Sequence, residues 1–134
     1  MKFPRTDRQS SHAADQILLA GLDPKLTREL TDSLESRGLR VKSCDHLDCQ
    51  AATYTEDCAL AFCDIRQADL VAILRAVSIP VVVVSRLPEV NDWLDAMDAG
   101  AADYCAAPIE DRQLEWILES NLHQENRREK AAFA

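Results

Sequence analysis

The chain has 134 residues, of which 47% are hydrophobic and 28% charged, a size and composition that fit one ordinary globular domain and exclude wholesale disorder. Three Gly and five Pro are too few for a collagen-like chain or a Gly/Pro-rich linker. Fifteen Lys and Arg against 23 Asp and Glu leave a formal charge of −8, which argues against nucleic acid and anionic membranes as partners.

Met1 to Asp15 reads as a polar, weakly basic flexible leader with no apolar segment of signal-peptide type. Gln16 to Ala20 is a short apolar strand. Pro24 then suits a first helical turn, because its missing N–H and fixed φ cost nothing there. Leu26, Leu30 and Leu34 follow at four-residue spacing, the apolar stripe of an amphipathic helix closed by Gly38. Leu39 to Cys44 is a second strand, and a weak, partly polar helix is expected over Leu47 to Thr53. Cys58 to Cys63 is a fully apolar third strand. Leu70, Ile73, Leu74 and Val77 form the next helical stripe. Ile79 to Val84 is a fourth strand without alternation, the pattern of a parallel strand buried on both faces. It is also the longest apolar run, and far too short to span a bilayer. A helix from Glu89 to Ala99 ends at Gly100. Ala101 to Cys105 makes a fifth strand, and a long helix runs from Glu110 past Leu122.

Alternating strands and helices with short turns predict one α/β domain over residues 16–123, with five parallel strands and about five helices. Residues 124–134, charged and then Ala-rich, read as a helical extension or linker. A cytoplasmic location is expected.

Five cysteines occur (Cys44, Cys49, Cys58, Cys63 and Cys105). Cys44, Cys58, Cys63 and Cys105 lie in or beside apolar runs, where a free thiol behaves as a small hydrophobe. Cys44, His46 and Cys49 are three ligand types within six residues, but a structural zinc site needs a fourth ligand that the sequence does not offer. No metal is expected.

In a parallel sheet the functional crevice lies beyond the carboxyl ends of the strands. Gly21, Leu22 and Asp23 follow the first strand, Asp64 the third, Ser85 the fourth, and Ala106, Ala107 and Pro108 the fifth. Gly21 alone is no Gly-rich phosphate loop, and no nucleophile–base pair accompanies it. The sequence therefore supports no enzymatic role and no nucleotide cofactor.

These strand ends resemble the receiver domain of bacterial two-component response regulators, over nearly the whole chain. Val81 to Ser85, Asp98-Ala-Gly-Ala-Ala-Asp-Tyr104 and Ala107-Pro108 carry the likeness most specifically. The resemblance implies a flavodoxin-like, doubly wound sheet of strand order 2-1-3-4-5 with helices on both faces. It places Asp64 on the family's phosphoacceptor, Ser85 on the hydroxyl that senses the phosphoryl group, and Tyr104 on the aromatic switch.

The departures from the family pattern are as informative. Receivers carry an acidic pair after the first strand that binds Mg²⁺; here Gly21 and Leu22 stand there, with Asp23 the next acid. The family lysine before the proline is Ala107. The stretch from Asp64 to Ser85 is several residues shorter than usual. Phosphoryl transfer to a carboxylate depends on cations that neutralise the transferring oxygens. Efficient phosphorylation and Mg²⁺ binding are therefore not expected, and the chain reads as a degenerate pseudo-receiver.

Each candidate carries a plainer reading beside the functional one. Asp64 is either a vestigial acceptor or a solvated strand-end carboxylate. Ser85 senses phosphate or caps the turn after its strand. Tyr104 switches or packs. Trp93 and Trp116, on adjacent helices, form an apolar interface patch or lie buried beneath those helices. The functional reading is a signalling module of the two-component and phosphorelay type, acting by protein–protein contact without phosphorylation. A histidine kinase or an output domain is a candidate partner, and a homodimer through the last two helices is expected. Glu89, Asp92, Asp95, Arg112, Glu115 and Glu119 would form its charged rim. The alternative is a working phosphoacceptor using Asp64, as the N-terminal part of a larger transcriptional regulator.

Overall fold

A computed structural model describes residues 16–45, 47, 57–87 and 89–122. Among them the elements run β1 (Gln16–Ala20), α1 (Pro24–Glu35), β2 (Arg40–Cys44), β3 (Leu60–Asp64), α2 (Leu70–Ala76), β4 (Val81–Ser85), α3 (Val90–Ala99), β5 (Asp103–Ala106) and α4 (Asp111–Leu122). The leader, the extension, His46, Cys49 and most of the helix expected over Leu47 to Thr53 lie outside the described residues.

All five strands are parallel, in the order β2-β1-β3-β4-β5. Order and sense are those of the doubly wound, flavodoxin-like sheet that the resemblance implies. Every residue of β3 and β4 is buried, so neither strand has a face to give to water. Successive side chains point to opposite sides, and the core divides accordingly. Leu18, Ala61, Cys63, Val81 and Val83 meet Ile73 and Leu74 of α2 and Ala96 of α3 on one face. Ile17, Leu19, Phe62, Val82 and Val84 meet Leu26, Leu30 and Leu34 of α1 and Leu114 and Ile117 of α4 on the other.

The ladder extends further than the apolar runs suggest. Asp64 pairs in register with Val84, and Ser85 with Ala106, so both polar residues end their strands instead of following them. The N–H of Ile65 donates to Val84 O at 2.8 Å and that of Ala107 to Ser85 O at 2.9 Å, which holds these ends in place. Conversely β5 begins at Asp103, two residues later than expected. Ala101 is occupied in closing α3, its N–H donating to Ala96 O at 3.0 Å. Gly100 makes that closure possible with φ of 114°, a left-handed conformation that suits glycine.

Cys58, Cys63 and Cys105 are buried, as expected of thiols in apolar strands. Desolvation pushes the thiol pKa of Cys63 and of Cys105 up to about 12, so at neutral pH both are protonated and unreactive. No described helix is long and apolar enough to cross a membrane.

Among the described residues Phe62 is the largest fully buried side chain. Its truncation in Phe62→Ala is expected to cost about 4 kcal/mol, the usual range for an unrelaxed aromatic cavity. Trp93→Ala, by contrast, removes a half-exposed ring and is expected to cost under about 1 kcal/mol. Urea denaturation of the two variants beside the wild type measures both.

Candidate functional site

Apolar strands buried on both faces leave polar chemistry only at their carboxyl ends, and there the crevice gathers Asp64, Ser85, Asp23 and Ala107. Asp64 is 8% exposed. Its Oδ1 accepts two hydrogen bonds from Arg66, from the backbone N–H at 2.8 Å and from side-chain Nε at 3.2 Å. The first is an Asx turn that closes the loop after β3; the second sets a guanidinium beside the carboxylate. The bond to Asp64 and its charge push the Arg66 pKa up, so this cation is permanent.

Asp23 is engaged just as fully. As the N-cap of α1 its Oδ1 accepts the N–H of Leu26 at 3.0 Å. Its Oδ2 pairs with Nη2 of Arg86. The Leu26 N–H above all, with Arg86 helping, holds the carboxyl below the usual carboxylate range. Asp23 is therefore part of the frame of the crevice, tying the loop after β1 to the loop after β4.

Gly21 and Leu22 follow β1 for backbone and packing reasons. Gly21 has φ of 69°, and a Cβ there would meet the carbonyl oxygen of Asp45 at 3.1 Å. Its N–H donates to Cys44 O at 2.9 Å. A carboxylate-bearing residue at this position would strain the backbone and crowd the end of β2. Leu22 packs against the core beside α1. Ala107 offers no cation.

A divalent ion does not fit these residues. Mg²⁺ needs oxygen ligands free to complete an octahedron, whereas Asp64 and Asp23 already face guanidinium groups. Among the described residues no three His, Cys, Asp or Glu side chains are grouped to hold a metal.

Ser85 is buried, and its Oγ accepts the N–H of Leu87 at 3.2 Å, the turn-capping geometry of the plainer reading. With Asp64, Arg66, Arg86, Glu89 and Asp92 it lines an open cleft of about 610 Å³. Gln67 locks the adjoining loop. Its side-chain amide accepts the N–H of Leu47 at 3.0 Å and donates to Leu47 O at 2.8 Å, as a paired strand would.

Tyr104 packs its ring against the core beneath α2 and α3. Its hydroxyl is buried and, among the described residues, has no hydrogen-bond partner. Trp93 and Trp116 are 45% and 64% exposed, which removes the buried reading of both. They are not on neighbouring helices of one layer, however. α3 covers one face of the sheet and α4 the other, so the edge strand β5 lies between the two rings.

Arg66, Arg86 and Gln67 were not anticipated from the sequence. The signal for both arginines was their place, immediately beyond the ends of strands that close in carboxyl or hydroxyl residues. Nothing in the sequence pointed to Gln67, whose partner is a backbone segment twenty residues away.

No family model matches the chain, and no curated protein matches it significantly in sequence. Solved structures do. A CheY-like response regulator receiver domain from Methanospirillum hungatei JF-1 is 20% identical with a TM-score of 0.72, covering 85% of this chain and 98% of its own. The BeF3-activated N-terminal receiver domain of RstA from Klebsiella pneumoniae is 21% identical with a TM-score of 0.71, over 81% and 99%. NtrX from Brucella abortus in complex with ATP gives 20% and 0.76, over 89% of this chain but 29% of NtrX. The chain has the CheY-like receiver fold.

The depressed pKa of Asp23 fixes a sign. A carboxyl whose pKa is lower in the folded state contributes stability that is complete at neutral pH and is lost as pH falls through the folded value. The melting temperature of Asp23→Asn is therefore expected to lie below the wild type at pH 7. The gap should close below about pH 4, where both carry a neutral side chain. Thermal melts at pH 7, 5 and 3 read it directly.

Proposed function

We propose that this chain is a signalling module of receiver fold that acts by protein–protein contact and does not depend on aspartyl phosphorylation. The observation that carries the reading is the Asp64–Arg66 pair. An acceptor carboxylate must approach a phosphodonor together with a cation that neutralises the transferring oxygens. Here the nearest cation belongs to the chain, binds the carboxylate itself, and leaves Asp64 Oδ1 engaged. Asp23 is held by α1 and Arg86, Gly21 by its backbone, and Ala107 supplies nothing. Ser85 caps its own turn, and among the described residues no nucleophile–base pair lines the crevice.

Its contact surface is the edge formed by α3, β5 and α4, where Trp93 and Trp116 stand exposed. Tryptophan is the residue most enriched among interface anchors. A histidine kinase or an output domain is the class of protein that such a surface would meet.

Incubation with a small phosphodonor and Mg²⁺, read by intact mass, tests the central statement. No phosphoryl adduct is expected. A labile adduct that disappears in Asp64→Asn would establish the alternative, a working phosphoacceptor.

Self-association through the same edge is the second reading, favoured by the exposure of both tryptophans. The surrounding carboxylates oppose it, and salt relieves that opposition. At tens of micromolar the wild type is expected to sediment as a monomer at low salt and to dimerise at about 0.5 M salt. Trp116→Ala should stay monomeric in both. A wild type that is monomeric throughout refutes self-association.

A further inference from the structure

Helix α3 is turned the wrong way round for a helix on a protein core. Its one fully buried residue is Ala96. Val90, Trp93, Leu94 and Met97, at the three- and four-residue spacing of an apolar stripe, are 37% to 69% exposed. At 100° per residue the centre of the stripe lies about 110° from Ala96, so the helix rests on the sheet by small side chains and turns its large ones toward solvent. Leu87, just before the helix, is also exposed. An outward stripe of this kind is the half-seam of a two-helix contact.

The charge of the last third of the described chain is equally one-sided. Between Glu89 and Leu122 there are nine carboxylates and one arginine, a balance of −8 that equals that of the whole chain. Asp98, one turn after Leu94, borders one flank of the stripe, and Glu89, the N-cap of the helix, stands on the other. Among the described residues only Glu115 of the nine meets a basic partner, Arg37 at 3.8 Å. A second copy docked on this face would set these acids against their own likeness. An anionic lipid surface would repel them. A partner that matches both features is apolar along a stripe and cationic beside it.

We propose that α3 is a docking helix for a basic amphipathic helix of a partner protein, with apolar residues at three- and four-residue spacing against Val90, Trp93, Leu94 and Met97 and Lys or Arg against Asp98 and Glu89. The proposal rests on the contact-module reading above and names the chemistry of its partner. The apolar seam supplies affinity, and the acidic flanks reject helices of like charge.

The test uses the full chain carrying Trp116→Phe, so that Trp93 is the sole tryptophan, and three synthetic 18-residue peptides without tryptophan. One has Leu at three- and four-residue spacing with Lys flanks, one has the same Leu pattern with Glu flanks, and one is a scramble of the first. The Lys-flanked peptide is expected to shift Trp93 emission to the blue and to saturate. The Glu-flanked and scrambled peptides should bind at least about tenfold more weakly. Trp93→Ala, checked by circular dichroism for an unchanged fold and followed through anisotropy of a labelled peptide, should lose about tenfold or more. The double variant Glu89→Lys, Asp98→Lys should reverse the preference, binding the Glu-flanked peptide. The proposal is overturned if the scramble binds as tightly as the patterned peptide, if Trp93 emission does not respond, or if charge reversal leaves the preference unchanged. Failure here with no phosphoryl adduct leaves the contact reading standing and rejects only the partner chemistry. An adduct instead removes phosphorylation independence, while the peptides still decide the docking helix.

Discussion

Burial of β3 and β4 on both faces is the constraint on which the rest depends. A strand with no solvated side accepts only apolar residues along its length, and Leu60 to Cys63 and Val81 to Val84 comply throughout. Polar chemistry is thereby driven to the carboxyl ends, where Asp64 and Ser85 close the two central strands side by side. The same constraint dictates the helices. Each must present an apolar stripe inward, and α1, α2 and α4 do so with Leu and Ile. α3 meets the requirement with alanine alone, and this leaves its larger residues for the outside.

The crevice that results is built from receiver geometry with different electrostatics. A buried carboxylate needs compensation, and an exchangeable divalent ion is one solution. Here the compensation is covalently part of the chain: Arg66 answers Asp64, and Arg86 answers Asp23. Each guanidinium is tethered within two residues of a strand end, so it neutralises without needing a metal and does not leave. The Gln67 amide, bonded in both directions to Leu47, fixes the loop that carries Arg66 to the end of β2. Three short-range devices thus hold the crevice in one arrangement.

Most of this fold was readable in the sequence, because periodicity reports burial directly. Leu26, Leu30 and Leu34 fell on the inner stripe of α1, and the unalternating valines of β4 on the centre of the sheet. Strand ends were less readable. The main-chain ladder of a parallel sheet runs on past the apolar residues, as it does through Asp64 and Ser85, and does not start until the preceding helix is closed, as at Asp103. In the site, the lack of a carboxylate at Gly21 and Leu22 and of a cation at Ala107 was evident from residue type. The gains were not, because Arg66 and Arg86 are ordinary surface residues until the fold brings Asp64 and Asp23 to them. The tryptophans were left open between an interface patch and burial, and their exposure removes burial. Their separation by β5 depends on which face of the sheet each helix covers, and that follows only from the handedness of successive crossovers.

The uneven placement of charge also bears on motion before contact. With its whole net charge gathered between Glu89 and Leu122 and the remainder close to neutral, the molecule is an electric dipole as well as an anion. A cationic body diffusing nearby feels a torque in addition to an attraction, and the two turn α3 toward each other while still a Debye length apart, roughly 8 Å at physiological salt. Orientation is usually the slow part of protein encounter. On the docking proposed above, the distribution of carboxylates would shorten that search, so salt would slow the meeting as well as weaken the grip.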